Sequence, residues 1–466
     1  MPFPSSGQIS ASTINSNLGN SSNTEIKFSN TLVSLAAGQF PAAQSAVDLK
    51  FSNFYFTQSL SNTALLFASD KSGNDSNEGT SSAMSADGRT LAVGMASDST
   101  AGQFNGAVAV YFLTNNVWTQ QGYNPSTGGP QNIITPAGVI GTQISFGSSV
   151  ALSADGNTLA VGGPDDNSQI GAVWIFTRSS SIWTQQGSKL IGTGGDKARQ
   201  GNSLALSADG NTLVVGGPND RIGVNPNFTL VGATWVFTRS GSTWTQQGSK
   251  LVGTGSDGSS LQGTGVSLSY DGNTLAVGGQ QDRGALTGFN STGATWVFTR
   301  SGSTWTQQGS KLVGTGWVGN EIRQGISVSL SSDGNTLAIG AFFDNGQVGA
   351  TWIFTRSGST WTQQGSKLVG TGATGSSWQG YDTELSSDGN VLLIGGPFDN
   401  SFAGAIWMFT RTGTTWTQIG SKVVNGAGTS FGQSLGLSKT GNTLGIGMPG
   451  YSRPFATAGG AELVYR

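Results

Sequence analysis

Carboxylates recur in a fixed frame along this sequence. The segment Leu-Ser-x-Asp-Gly-Asn-Thr-Leu-Ala-Val-Gly returns with Asp87, Asp155, Asp209, Asp271, Asp333 and Asp388, and with Thr440 in a seventh copy. A second aspartate follows in each unit, at Asp98, Asp166, Asp220, Asp282, Asp344 and Asp399, with Tyr451 in the last. Carboxylate oxygens bind calcium, and paired carboxyls cleave glycosides. Yet Ser153-Ala154-Asp155-Gly156 offers one carboxylate where calcium needs several oxygens, so a structural turn is expected and no metal site. The second aspartates would form a ring on one end of the repeat array. Being a repeat width apart, they are expected to accept hydrogen bonds from their own loops rather than share an ion. Glutamate occurs only at Glu25, Glu78, Glu321, Glu384 and Glu462, with no pair at equivalent places in the repeat. There is no histidine and no cysteine, which removes the usual neutral-pH base, the commonest zinc ligand and every thiolate or Ser-His arrangement. No catalysis and no cofactor are expected.

Only 10% of the 466 residues are charged, and 22 basic residues nearly cancel 24 acidic ones. A nucleic-acid partner would call for a basic excess, so none is expected. The 74 glycines would suit a disordered chain, but the aromatic and branched residues recur at fixed places, as in packed β structure. No apolar run approaches a membrane span, so no membrane insertion is expected. The opening Met1-Pro2-Phe3-Pro4 lacks the features of a secretory signal, and exit from a cell is expected by lysis or as part of a particle.

The elements that must position these residues are set by the repeat, whose interval runs from 52 to 68 residues. In one copy four strands are predicted, at 266–269, 274–278, 294–300 and 305–308. The first two are joined by Tyr270-Asp271-Gly272-Asn273, where the Asp-Gly pair is expected to supply the positive φ values of a tight hairpin. Along Ala294-Thr295-Trp296-Val297-Phe298 large rings alternate with smaller residues, yet both faces stay partly apolar. Such a sheet must be stacked between neighbours. Seven around an axis satisfy that, which predicts an all-β fold: a seven-bladed β-propeller of four-stranded blades. A linear solenoid is the alternative. The last unit stops after its third strand, at Ala461–Arg466, and Phe56-Thr57-Gln58-Ser59-Leu60 resembles the missing outer strand. Closure by that N-terminal strand is therefore expected.

The series Phe146-Gly147-Ser148-Ser149, Leu159-Ala160-Val161-Gly162-Gly163-Pro164 and Gly171-Ala172-Val173-Trp174-Ile175-Phe176 resembles the FG-GAP repeat of integrin α-subunit propellers, through residues 61–466. The resemblance implies the fold and says little of function. That family often binds calcium beside the Asp-Gly turn, but this sequence lacks the extra ligands. It also misses the Asp-box of sialidase propellers, because Asp and Gly are adjacent and the Trp is absent.

The recurring Trp174, Trp235, Trp296, Trp352 and Trp407 are expected to pack between blades rather than to stack on sugars. The outer-strand Trp118, Trp183, Trp244, Trp305, Trp361 and Trp416 are left open between the two. Seven aromatics fall outside the repeat, at Trp317, Phe342, Phe343, Trp378, Tyr381, Phe398 and Phe402. In variable loops they are candidate receptor contacts, with loop-on-loop packing the alternative.

Residues 1–53 do not share the repeat, which sets the propeller at 54–466. Gly-Gln-Ile-Ser at Gly7, Ile14-Asn15, Leu18-Gly19, Ser21-Ser22 and Phe51-Ser52-Asn53-Phe54-Tyr55 resemble a short module at the start of virion proteins of tailed phages, cyanophages among them, and of large DNA viruses. The resemblance implies a docking tag, with Ile9, Ile14, Leu18, Phe28, Phe51 and Phe54 as anchor contacts. The expected function is a virion structural protein, at tail, fibre, baseplate or capsid surface, present in several copies. Its partners would be other virion proteins and a host surface glycan or protein. A non-viral adhesion or carbohydrate-binding propeller is the alternative, and a glycosidase the more distant one.

Overall fold

A computed structural model describes residues 64–465 apart from 69–76, 99–104, 124–131, 225–226, 284–290, 427 and 451–459. The proposed anchor residues, Ile9, Ile14, Leu18, Phe28, Phe51 and Phe54, lie outside the described residues, as does 56–60.

Seven four-stranded antiparallel sheets follow one another. Blade 1 holds Glu78–Met84, Thr90–Met95, Ala107–Thr114 and Val117–Gln120, and blade 2 holds Ser149–Leu152, Thr158–Gly163, Ala172–Ser179 and Ile182–Gln185. Blades 3 and 4 begin at Ser203–Leu206 and Gln262–Leu268, and blades 5 and 6 at Val328–Leu330 and Asp382–Leu385. Blade 7 holds Leu435–Leu437, Leu444–Met448 and Ala461–Tyr465. First strands of successive blades touch all the way round, including Leu435–Leu437 against Glu78–Met84, so the array closes as a seven-bladed propeller.

The hairpins hold one register. Trp174 lies opposite Val161, Trp235 opposite Val215, Trp296 opposite Val277, Trp352 opposite Ile339 and Trp407 opposite Ile394. In the turns between first and second strands only the glycine takes positive φ, as at Gly272 (+71°). The aspartate works through its side chain instead: Asp271 Oδ1 accepts from Ser269 Oγ at 2.6 Å and from the Asn273 backbone N–H at 3.0 Å. That differs from the expected turn, because four loop residues leave room for an aspartate-bonded loop with one left-handed position. The irregular 221–230 insertion forms a hairpin of Arg221–Val224 and Asn227–Leu230.

An N-terminal strand does complete blade 7, but it is not 56–60. Ala64–Leu66 pairs antiparallel with Ala461–Tyr465, placing Ala64 opposite Val464 and Leu66 opposite Glu462. The resemblance of Phe56-Thr57-Gln58 to Trp-Thr-Gln pointed several residues too early. What the edge needs is a backbone that pairs with Ala461–Tyr465 and an apolar side chain facing inward, and Leu66 packs into the same core as Leu91, Tyr111 and Val464.

Candidate functional site

The recurrent tryptophans and aspartates of the repeat make their contacts within the fold, while the third-strand hydroxyls of Thr234, Thr295 and Thr351 are buried with no hydrogen bond among the described residues. The third-strand tryptophans 174, 235, 296, 352 and 407 are fully buried. Their indole N–H groups donate to carbonyls of the chain entering from the previous blade, as Trp296 does to Thr254 at 2.8 Å and Trp235 to Thr193 at 2.8 Å. That entering chain must be glycine where it crosses the ring. A Cβ on Gly253 would lie 2.1 Å from Trp296 Cδ1. The outer-strand tryptophans, left open from sequence, are also structural. Trp244, Trp305, Trp361 and Trp416 donate to Gln186, Gln247, Gln308 and Gln364 of the preceding blade, at 2.9–3.0 Å. Arg239, Arg300, Arg356 and Arg411 lie over those same rings, 5.2–5.4 Å from their centroids.

Both aspartate series are structural as well. Burial pushes Asp155, Asp209, Asp271 and Asp333 up, but hydrogen bonds from serine and asparagine, with a neighbouring arginine, outweigh it and hold them below the usual carboxylate range. The second series holds a partner that sequence reasoning missed. Asp166, Asp220 and Asp282, all fully buried, meet Lys189, Lys250 and Lys311 at 2.5 Å, and Asp344 and Asp399 pair with Lys367 and Lys422. Each carboxylate also accepts an N–H from the entering chain, as Asp220 does from Asp196 at 2.9 Å. The lysine lies in Trp-Thr-Gln-x-Gly-Ser-Lys, at a constant distance past the outer strand, which was the signal available. These aspartates are therefore not a shared ligand ring.

What remains is the set of residues that break the repeat, and six of the seven off-repeat aromatics come together. Phe342 and Phe343 follow the second strand of blade 5, Phe398 and Phe402 that of blade 6, and Trp378 and Tyr381 flank the entry to blade 6. Trp378 stacks on Phe398 with centroids 3.7 Å apart and on Tyr381 at 6.0 Å. Phe342 meets Phe343 edge-on at 4.6 Å and Trp378 at 4.9 Å, and Phe398 meets Phe402 at 4.6 Å. Arg323 caps the Phe343 ring at 4.3 Å. Phe342 is buried as the floor, Phe343, Trp378, Tyr381 and Phe398 are half-buried, and Phe402 is 52% exposed. Trp317 stands apart from these ring contacts and packs on the blade 5 core near Ile322 and Trp352. Loop-on-loop packing and an exposed apolar surface therefore coexist here.

Two acidic places complete the inventory. On the first strand of blade 6, half-buried Asp382 is pushed up to about 6 by burial, against hydrogen bonds from the Leu435 and Thr383 backbones. Glu384 is pushed up to about 8 by burial and by Asp382, against Lys439 and Ser329. Other blades carry Ser, Ala or Gly at these two positions. At the ring closure Glu78 and Glu462 are both fully buried. Among the described residues no three His, Cys, Asp or Glu are grouped to hold a metal ion.

No family model matches the chain, and no curated protein does. Solved structures do match, among them one described as a putative 6-phosphogluconolactonase from Bacteroides uniformis. It is 14% identical, with a TM-score of 0.48, over 74% of this chain and 85% of that one.

Proposed function

We propose that this protein is a non-catalytic display protein, a virion structural component whose propeller carries a contact surface for a host. The observation that supports the contact reading is the aromatic cluster of blades 5 and 6. The repeat's own aromatics are consumed by packing between blades, whereas this group breaks the repeat and ends in the exposed Phe402. A single exposed phenylalanine is ordinary, but one standing on a stacked, half-buried aromatic group is the form of an interaction surface. The virion setting, and docking through residues 1–53, rest on the sequence resemblance of 7–55 alone, and the FG-GAP likeness on the repeat motifs alone. Immunogold electron microscopy of purified particles, with an antibody against the propeller, tests the setting. Labelling at a tail, fibre or vertex supports host contact, and uniform shell labelling supports decoration. No labelling, with the protein found free or on cells, transfers the same surface to a non-viral adhesin.

A further inference from the structure

The junction of blades 7 and 1 departs from the other six in a coordinated way. Where blades 3 to 6 place Gln200, Gln262, Gln324 and Gln379, blade 1 places Glu78. Those glutamines both accept from and donate to the entering chain, as Gln262 does with Gly253 at 2.5 and 3.1 Å. Glu78 accepts instead, from the Ala68 N–H at 2.9 and 3.1 Å and from the Tyr111 hydroxyl at 2.7 Å. Where other blades place Val173, Thr234, Thr295, Thr351 or Ile406, blade 7 places Glu462. Its neighbour in the second strand is Gly445, where a Cβ would lie 2.7 Å from Glu462 Oε1, while the other blades carry Ala, Val or Leu there. The space has been cleared for a carboxyl group. Yet neither Glu462 oxygen makes a hydrogen bond within the usual limits, and Ser82 is its polar neighbour across the junction. Among the described residues Glu78 is the charged group whose field acts on it, and Leu91 of blade 1 reaches the same space beside Gly445.

We infer that the ring carries a proton-dependent clasp, in which the buried junction of blades 7 and 1 accepts Glu462 as the neutral acid and its ionisation against Glu78 releases the closing strand Ala64–Leu66. The two acids bracket that strand, since Leu66 lies opposite Glu462 and Glu78 holds the Ala68 N–H. A charge on Glu462 is penalised twice, by burial and by the like charge beside it. The cheapest relief is departure of the three-residue edge strand, which admits water to the pocket. A carboxyl raised in the folded state stabilises the closed form fully below the unfolded carboxyl's pKa. That stability is lost as pH rises from there through the folded value, by up to tenfold in the closed-to-open ratio per pH unit.

The test is amide hydrogen exchange on the full chain between pH 5 and 8, corrected for intrinsic rates, with Ala233–Ser240 as internal standard. The opening constant of Ala64–Leu66 and Ala461–Tyr465 is expected to climb with pH, and in Glu462→Gln to stay flat. A flat wild type, or an equal slope in Glu462→Gln, overturns the clasp. Should that variant fail to fold, Glu78→Gln removes the like charge with the residue four other blades carry. A shallower slope supports the clasp and an unchanged one overturns it.

Discussion

Replacing Lys311 by methionine isolates what the buried Asp-Lys pairs do. Lys311 Nζ lies 2.5 Å from Asp282 Oδ1, the aspartate is fully buried and the lysine side chain is 18% exposed. Methionine keeps much of the stem and deletes the charge, leaving Asp282 with the Asp257 N–H at 2.9 Å among its donors. Breaking a buried pair from one side costs about 3–5 kcal/mol, because the remaining charge loses its compensation. Unfolding entropy of roughly 2.1 cal/mol/K per residue over about 400 residues converts that to a Tm lower by about 4–6 °C. Asp282→Asn in the same background should recover part of the loss, since the orphaned charge is then gone. Differential scanning calorimetry measures all three, with Lys197→Met, an exposed lysine, as the control. A Lys311→Met shift no larger than the control's would refute the structural assignment and return the second aspartate series to the list of ligand sites.

Phe402→Ser should leave Tm within about 1 °C, as expected of an exposed side chain, while weakening adsorption to the natural target surface; unchanged adsorption removes Phe402 from the contact surface. Glu384, raised to about 8, holds its proton more tightly folded than unfolded, so its contribution falls as pH climbs from about 4.5. Glu384→Gln should therefore flatten the fall of Tm between pH 5 and 8, and a parallel Tm-pH curve would show that the group does not titrate in the folded protein over that range. Truncation after residue 63 should leave a stable ring, whereas removal through residue 68 should lower Tm by several degrees, because it takes the closing strand and the Ala68 contact to Glu78. Equal melting of the two truncations would mean that blade 7 stands without its outer strand.

The blade architecture was legible because it rests on local, repeated signals: the Asp-Gly turns, the alternation through Ala294–Phe298 and the count of seven. Closure by an N-terminal strand was legible in kind and misplaced in position, since likeness to Trp-Thr-Gln is no guide at an edge where the structure uses Ala64-Leu65-Leu66. The Asp-Lys pairing was missed although both residues recur, because it joins a loop after the second strand to one after the fourth. Such a contact follows from blade folding rather than from spacing. The acidic junction was beyond reach for the same reason, magnified: Glu78 and Glu462 stand at opposite ends of the repeat array and meet only when the ring closes. The off-repeat aromatics were identified one by one, but their convergence depended on blade 5 and blade 6 loops rising side by side.

The positive φ of Trp378 is shared by its counterparts in the other blades, and what is particular to it is the indole. One residue of the segment leading into each first strand takes positive φ in every blade, at Asn77, Ser145, Arg199, Leu261, Arg323, Trp378 and Ser430. The repeat imposes that conformation, and asparagine tolerates it best. Trp378 takes it at φ +58°, at a cost on the order of 1 kcal/mol that any residue with a Cβ bears there. The indole is held by Phe398 on one face and approached by Phe342 and Tyr381, so the cluster and the strained residue depend on each other. Packing alone is achieved with serine at the same site in blades 2 and 7. What distinguishes Trp378 is therefore its side chain, which the aromatic cluster holds in place, and not the backbone cost, which serine, leucine and arginine bear at the same site in other blades.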